Sequence, residues 1–217
     1  MMKSEKHFIS TPKTAVVFNI GNANTAKIYW LILHGYGQLA ENFQSHFQNF
    51  DSQKNYFVIP NALNHFYLKS GKGDVGASWM TKYEREKDIL DNNVYLNKVF
   101  NQFIKPNLNN ERHFYVLGFS QGAATLVRWL AMETIKVDKI ILWGSVFPPD
   151  METERYIHYL KNFQWMYFIG KQDEFISNEV KEKQKHFFES HHFSIQWIEY
   201  EGNHDLNPNI LQKHLDI

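Results

Sequence analysis

The 217-residue chain contains no cysteine, so it can form no disulfide, build no thiolate metal site and use no cysteine nucleophile. It has no excess of charge either: Lys plus Arg and Asp plus Glu number 23 each. No net field exists to gather phosphates or an anionic membrane, which argues against a nucleic-acid partner. Long apolar runs are missing. The longest, Ile28 to Leu33, falls far short of the ~20 residues that a spanning helix needs, and stable membrane insertion is not expected. The first residues, Met1-Met2-Lys3-Ser4-Glu5-Lys6-His7, have no apolar stretch or small-residue cleavage site behind them, so no secretory signal is read. A soluble, cytoplasmic protein is expected. No internal repeat, low-complexity tract or His-Glu-x-x-His motif occurs, and the adjacent His191 and His192 would not share a face of a regular element. Neither a metal nor any other cofactor is expected.

What is present fits one globular domain over residues 1–217, with 43% hydrophobic residues, enough to bury about 70% of the extended-chain surface. Aromatic residues make up 16% of the chain, and most belong to the core, where they carry much of the buried area. Ala15 to Ile20 and Lys27 to Leu33 read as a hairpin closed by Gly21-Asn22-Ala23-Asn24. Leu39 to Phe50 has helical apolar spacing, and Tyr56 to Ile59 is a strand ended by Pro60.

From there helices and strands alternate. Helices are predicted at Arg85 to Ile104, Ser120 to Met132, Met151 to Leu160, Asn178 to Phe188 and Pro208 to Leu215; strands fall at His113 to Leu117, Lys139 to Trp143, Trp165 to Ile169 and Ser194 to Tyr200. The pattern predicts an α/β fold, a largely parallel sheet with helices on both faces. The long link from Asn61 to Tyr83 reads as a functional loop bordering the site. Between Trp143 and Trp165 there is no room for an inserted cap, so an open cleft is expected.

Gly118-Phe119-Ser120-Gln121-Gly122 lies between an apolar run and a helical pattern. Strand, turn and helix are the context of a nucleophile elbow, in which strained dihedrals lift the serine hydroxyl clear of the sheet edge. A serine needs an adjacent base, and the base a third group to hold its tautomer. On such scaffolds the order is Ser, then Asp or Glu, then His, on loops at the carboxyl ends of later strands. Asp173, in Gly170-Lys171-Gln172-Asp173, and His204, in Gly202-Asn203-His204, both stand at strand exits. Asp150, after the preceding strand, is the second candidate for the acid. Asp138 lies at the wrong end of its strand, and Asp205 adjoins the base. The oxyanion donors predicted are the backbone amides of Gln121, at the helix start, and Tyr36, in Leu33-His34-Gly35-Tyr36-Gly37. His34 is expected to support that turn by hydrogen bonding.

Together with Ser78-Trp79-Met80, these segments resemble the phospholipase/carboxylesterase family of α/β-hydrolases, which includes the acyl-protein thioesterases, over about Leu31 to the C-terminus. The resemblance implies an α/β-hydrolase fold without a large cap, Ser120, Asp173 and His204 as triad, Tyr36 and Gln121 as oxyanion donors, and Trp79 as a pocket wall. Gln38 stands where the family usually carries an acidic residue, and Ala123 replaces a third glycine. The expectation is a cofactor-independent serine esterase acting on small-molecule esters of short to medium acyl chains through an acyl-enzyme. A thioester or amide substrate, or a noncatalytic binding role on the same scaffold, are the alternatives.

Overall fold

The computed structural model describes residues 3–215. In chain order its strands are β1 (Val17–Gly21), β2 (Ile28–Leu33), β3 (Asn55–Pro60), β4 (Asn64–Lys69), β5 (Lys72–Ser78), β6 (His113–Phe119), β7 (Lys139–Trp143), β8 (Gln164–Gly170) and β9 (Ser194–Tyr200). Its helices are α1 (Ala40–Phe43), α2 (Arg85–Val99), α3 (Gln121–Glu133), α4 (Glu154–Leu160), α5 (Asn178–Ser190) and α6 (Pro208–Leu215). Seven strands form one sheet in the order β1-β3-β2-β6-β7-β8-β9, parallel throughout except where β1 runs against β3.

The inner strands are continuous apolar runs because both of their faces are covered. In β2, Tyr29, Leu31 and Leu33 point into one core, and Ile28, Trp30 and Ile32 into the other, as a period of two requires. The first core meets Leu96 of α2, Leu126 of α3, Ile157 of α4 and Phe188 of α5; the second meets Phe43 of α1 and Leu211 of α6. The chain has the α/β-hydrolase fold. Among the described residues no helix is long and apolar enough to cross a membrane.

Three expectations are corrected. The hairpin of β1 with β2 does not form: β3 lies between them, and β1 pairs antiparallel with β3, in register Phe18 to Ile59. All of β3 is buried while β1 is partly exposed, so β3 takes the inner position and β1 the edge. The link from Asn61 to Tyr83 is not structureless, because β4 and β5 form an antiparallel two-stranded sheet within it. Its glycines and charged residues, with β4 and the first half of β5 largely exposed, erase the apolar alternation that marks a strand. Leu39 to Phe50 is helical only as α1 and a following 3₁₀ turn, Gln44–Phe47. Elsewhere the shifts are at ends: α4 begins three residues late, behind a 3₁₀ turn at Pro149–Met151, and α2 runs on into a π-helical turn at Phe100–Ile104.

Candidate active site

Ser120 is the single residue between β6 and α3, and its φ of 51° with ψ of −119° is a conformation that non-glycine residues avoid. Holding it there costs roughly 1–3 kcal/mol. The surroundings impose it: the Ser120 amide donates to Trp143 O at the end of β7 (2.9 Å), and the Ala123 amide donates back to Ser120 O (3.1 Å). Glycine is required on both sides by close approach. A Cβ on Gly118 would lie 2.3 Å from Ala123 Cα, and one on Gly122 would lie 2.4 Å from Leu33 O.

Asp173 and His204 meet at the exits of β8 and β9. His204 Nδ1 donates to Asp173 Oδ2 at 2.8 Å. The other carboxylate oxygen accepts the amides of Phe175 (2.9 Å) and Ile176 (3.2 Å), and the Asp173 side chain is fully buried. The two loops are tied to each other, since the Gly202 amide donates to Gln172 Oε1 and the Gln172 amide to Gly202 O. Trp143 Nε1 and the Tyr200 hydroxyl both donate to Asp205 O and fix the far side of the His204 loop. Burial pushes the Tyr200 hydroxyl up to about 12, so it remains a donor. Phe119 and Phe175 pack on the His204 ring at 5.1 and 4.7 Å between centroids.

Ser120 and His204 line one cavity of about 630 Å³, together with Tyr36, Gln121, Arg128 and Val146. No hydrogen bond joins Ser120 Oγ to the His204 ring among the described residues; what they share is the cavity. Asp150, the rival acid, is bound to two arginines, and the carboxylate partner of His204 is Asp173. The Asp150 carboxylate takes Arg128 Nε (2.9 Å), Arg128 Nη2 (2.6 Å) and Arg85 Nη2 (3.1 Å). The Arg128 hydrogen bonds hold its pKa below the usual carboxylate value.

The amides of Tyr36 and Gln121 have no protein acceptor among the described residues, and both residues line the cavity. The turn that carries Tyr36 is held from three directions. Gln38 Oε1 accepts the Gly35 amide (2.7 Å), and β5 receives the Gly37 amide at Ala77 O (2.8 Å). Beneath it, His34 Nδ1 donates to Gly35 O (2.8 Å) while Nε2 accepts the Ala62 amide (3.0 Å). This pairing needs a neutral ring, and burial lowers the His34 pKa to about 4.

Trp79, expected as a pocket wall, is fully buried and lies outside the cavity lining. Its Nε1 donates to His34 O (2.8 Å), and its ring packs 5.2 Å from the imidazole, so it braces the turn from behind. The Gln121 side chain was missed by sequence reasoning. Its Oε1 accepts the Trp79 amide (2.9 Å) and its Nε2 donates to Met80 O (2.7 Å), tying the end of β5 to the elbow. Arg128 was also missed, although its spacing of seven from Gln121 put it on the same helix face.

A model of the phospholipase/carboxylesterase family matches residues 14–216. Similar solved structures include acyl-protein thioesterase 2 of Zea mays, at TM-score 0.71 and 12% identity, covering 94% of this chain and 97% of that one. A carboxylesterase of Mesorhizobium loti has TM-score 0.67 and 15% identity over 89% and 91%. A phospholipase/carboxylesterase of Dyadobacter fermentans has 0.64 and 16% over 95% and 97%. At these identities the likeness carries the fold. No curated protein matches the sequence.

Proposed function

The chain belongs to the phospholipase/carboxylesterase family of hydrolases, and from that premise we propose that it is a serine carboxylesterase, working as one domain on small-molecule esters of short to medium acyl chains. The observation that carries the reading is the 2.8 Å bond from His204 to a fully buried Asp173, at the rim of the cavity that also holds the strained Ser120.

Ser120 Oγ attacks the ester carbonyl carbon while His204 Nε2 takes the hydroxyl proton. The carbonyl oxygen becomes an oxyanion and accepts the amides of Tyr36 and Gln121, which are fixed before reaction and reinforced by the positive end of α3. Collapse breaks the bond to the alcohol, His204 returns the proton to it, and the acyl group stays on Ser120. Water then repeats the sequence and releases the acid. Asp173 fixes the tautomer that leaves Nε2 free and stabilises the imidazolium.

The test is an ester, thioester and amide panel run beside Ser120→Ala, with a fluorophosphonate probe for an activated serine. Ester turnover that falls by about 10⁶-fold in the variant, with labelling lost, supports the reading. Undiminished ester hydrolysis by Ser120→Ala, or a wild-type chain that takes up no probe, rejects it. A faster rate on the thioester or amide would reassign the bond but keep the residues.

A further inference from the structure

Gln121, Ala124 and Arg128 border the cleft on one face of α3. Among the described residues lining that cleft, Arg128 is the only one whose side chain is permanently charged. Its head group is locked: Nε and Nη2 form a two-point bond with Asp150, and Nη1 donates to Ala124 O (3.0 Å). That last bond draws the guanidinium back along the helix to the level of Ala124, ~6 Å of axial rise from Ser120. Arg85 grips Asp150 from the other side. The Arg128 side chain is 6% exposed.

A bound ester has three directions to fill. Its carbonyl oxygen faces the amides of Tyr36 and Gln121, and its leaving oxygen must stay within reach of His204. The acyl chain needs apolar wall, and Ala124, Val146, Pro148 and Pro149 line the same cleft as Arg128. We propose that the Arg128–Asp150 pair is the end stop of the acyl site and makes the enzyme selective for short, uncharged acyl groups, of acetyl to butanoyl size. A longer alkyl chain would have to strip water or partners from an ion pair and return no hydrogen bond. An acyl group ending in a carboxylate gains little, because Asp150 already occupies the forked edge of the guanidinium and repels a second anion.

This stop rests on the ester-hydrolase reading, and the experiment separates the two. Aryl esters of acetate, butanoate, hexanoate, octanoate and succinate are compared in the wild type, in Ser120→Ala and in the double variant Arg128→Met/Asp150→Leu. The double change removes both charges together, so neither member of the pair is left buried without the other. The wild type should lose at least ~10-fold in kcat/KM between butanoate and octanoate, and the double variant should raise the octanoate-to-butanoate ratio by about tenfold. The wild-type profile also stands alone should the double variant not fold: equal rates on butanoate and octanoate overturn the stop, as does a preference for the succinate ester. An unmoved ratio in a folded double variant overturns it too. In all these cases loss of activity in Ser120→Ala shows that the esterase reading survives, whereas hydrolysis that persists in Ser120→Ala removes both.

Discussion

Asp173 is bound by His204 on one carboxylate oxygen and by two backbone amides on the other. The carboxylate is thus held by its own loop independently of the imidazole, and it meets the ring in a set position. An acid that depended on the histidine for its orientation would move with it; in the triad proposed above, this one sets the position of the ring.

Asp173→Asn tests that relation. The amide oxygen can still accept Phe175 and Ile176, so the loop and the fold should persist, but the amide nitrogen then faces His204 Nδ1 and favours the tautomer with the proton on Nε2. We expect kcat to fall by about 10⁴-fold with KM changed far less. Steady-state kinetics on a short-chain aryl ester give the answer, and a loss below tenfold would mean that Asp173 does not serve the base.

Gly122→Ala should damage the elbow itself. The added methyl would sit 2.4 Å from Leu33 O and 2.5 Å from His34 O, backbone atoms at and just past the end of β2. A loss of roughly 3 kcal/mol in urea unfolding is expected, at the upper end for a single substitution. A variant as stable as the wild type would show that α3 can shift away from β2.

How much of this was legible in the sequence follows from which interactions are local. Ser120, Asp173 and His204 each stand at a strand exit, and a parallel sheet brings its strand exits to one edge, so their nearness could be read from order alone. Gly118 was readable because the collision it avoids, with Ala123, lies within one turn of chain; Gly122 avoids Leu33 and His34 on a distant segment, and only its place in the elbow pattern made it readable. The partner of β1 was not readable: Gly21 and the following Asn suit a hairpin, and only the burial of β3 on both faces makes it the inner strand. The bracing role of Trp79 was not readable, because an aromatic near a site reads alike whether it lines the cavity or supports it. The Arg128–Asp150 pair joins α3 to the turn before α4, a pairing between distant segments that Asp150's place at a strand exit does not signal.

Gln121→Ala would separate the two roles of that residue. Its backbone amide stays in place, but the Trp79 amide and Met80 O each lose a partner, and a buried polar group left unpaired costs about 1–3 kcal/mol. Trp79 in turn holds His34 O, so the strain reaches the turn that carries Tyr36. We expect a stability loss of that size together with a fall in kcat of about tenfold or more, by analogy with loss of an oxyanion donor. Unchanged kcat in a destabilised protein would confine the side chain to a structural role.

His34 should make stability depend on pH. Burial brings its pKa from 6.5 to about 4 in the folded chain, so as pH falls the unfolded chain protonates this ring first. The contribution of neutral His34 is complete above about pH 6.5, declines through the interval, and is fully lost below about pH 4, a total of ~3 kcal/mol. His46 is shifted down by burial as well and acts in the same sense, which is why the wild type alone cannot isolate the effect. His34→Gln removes the titration while keeping a donor and an acceptor near Gly35 and Ala62. Urea unfolding of both proteins between pH 4 and pH 7 should show the wild type losing stability more steeply, and parallel curves would mean that His34 is not held neutral by its burial.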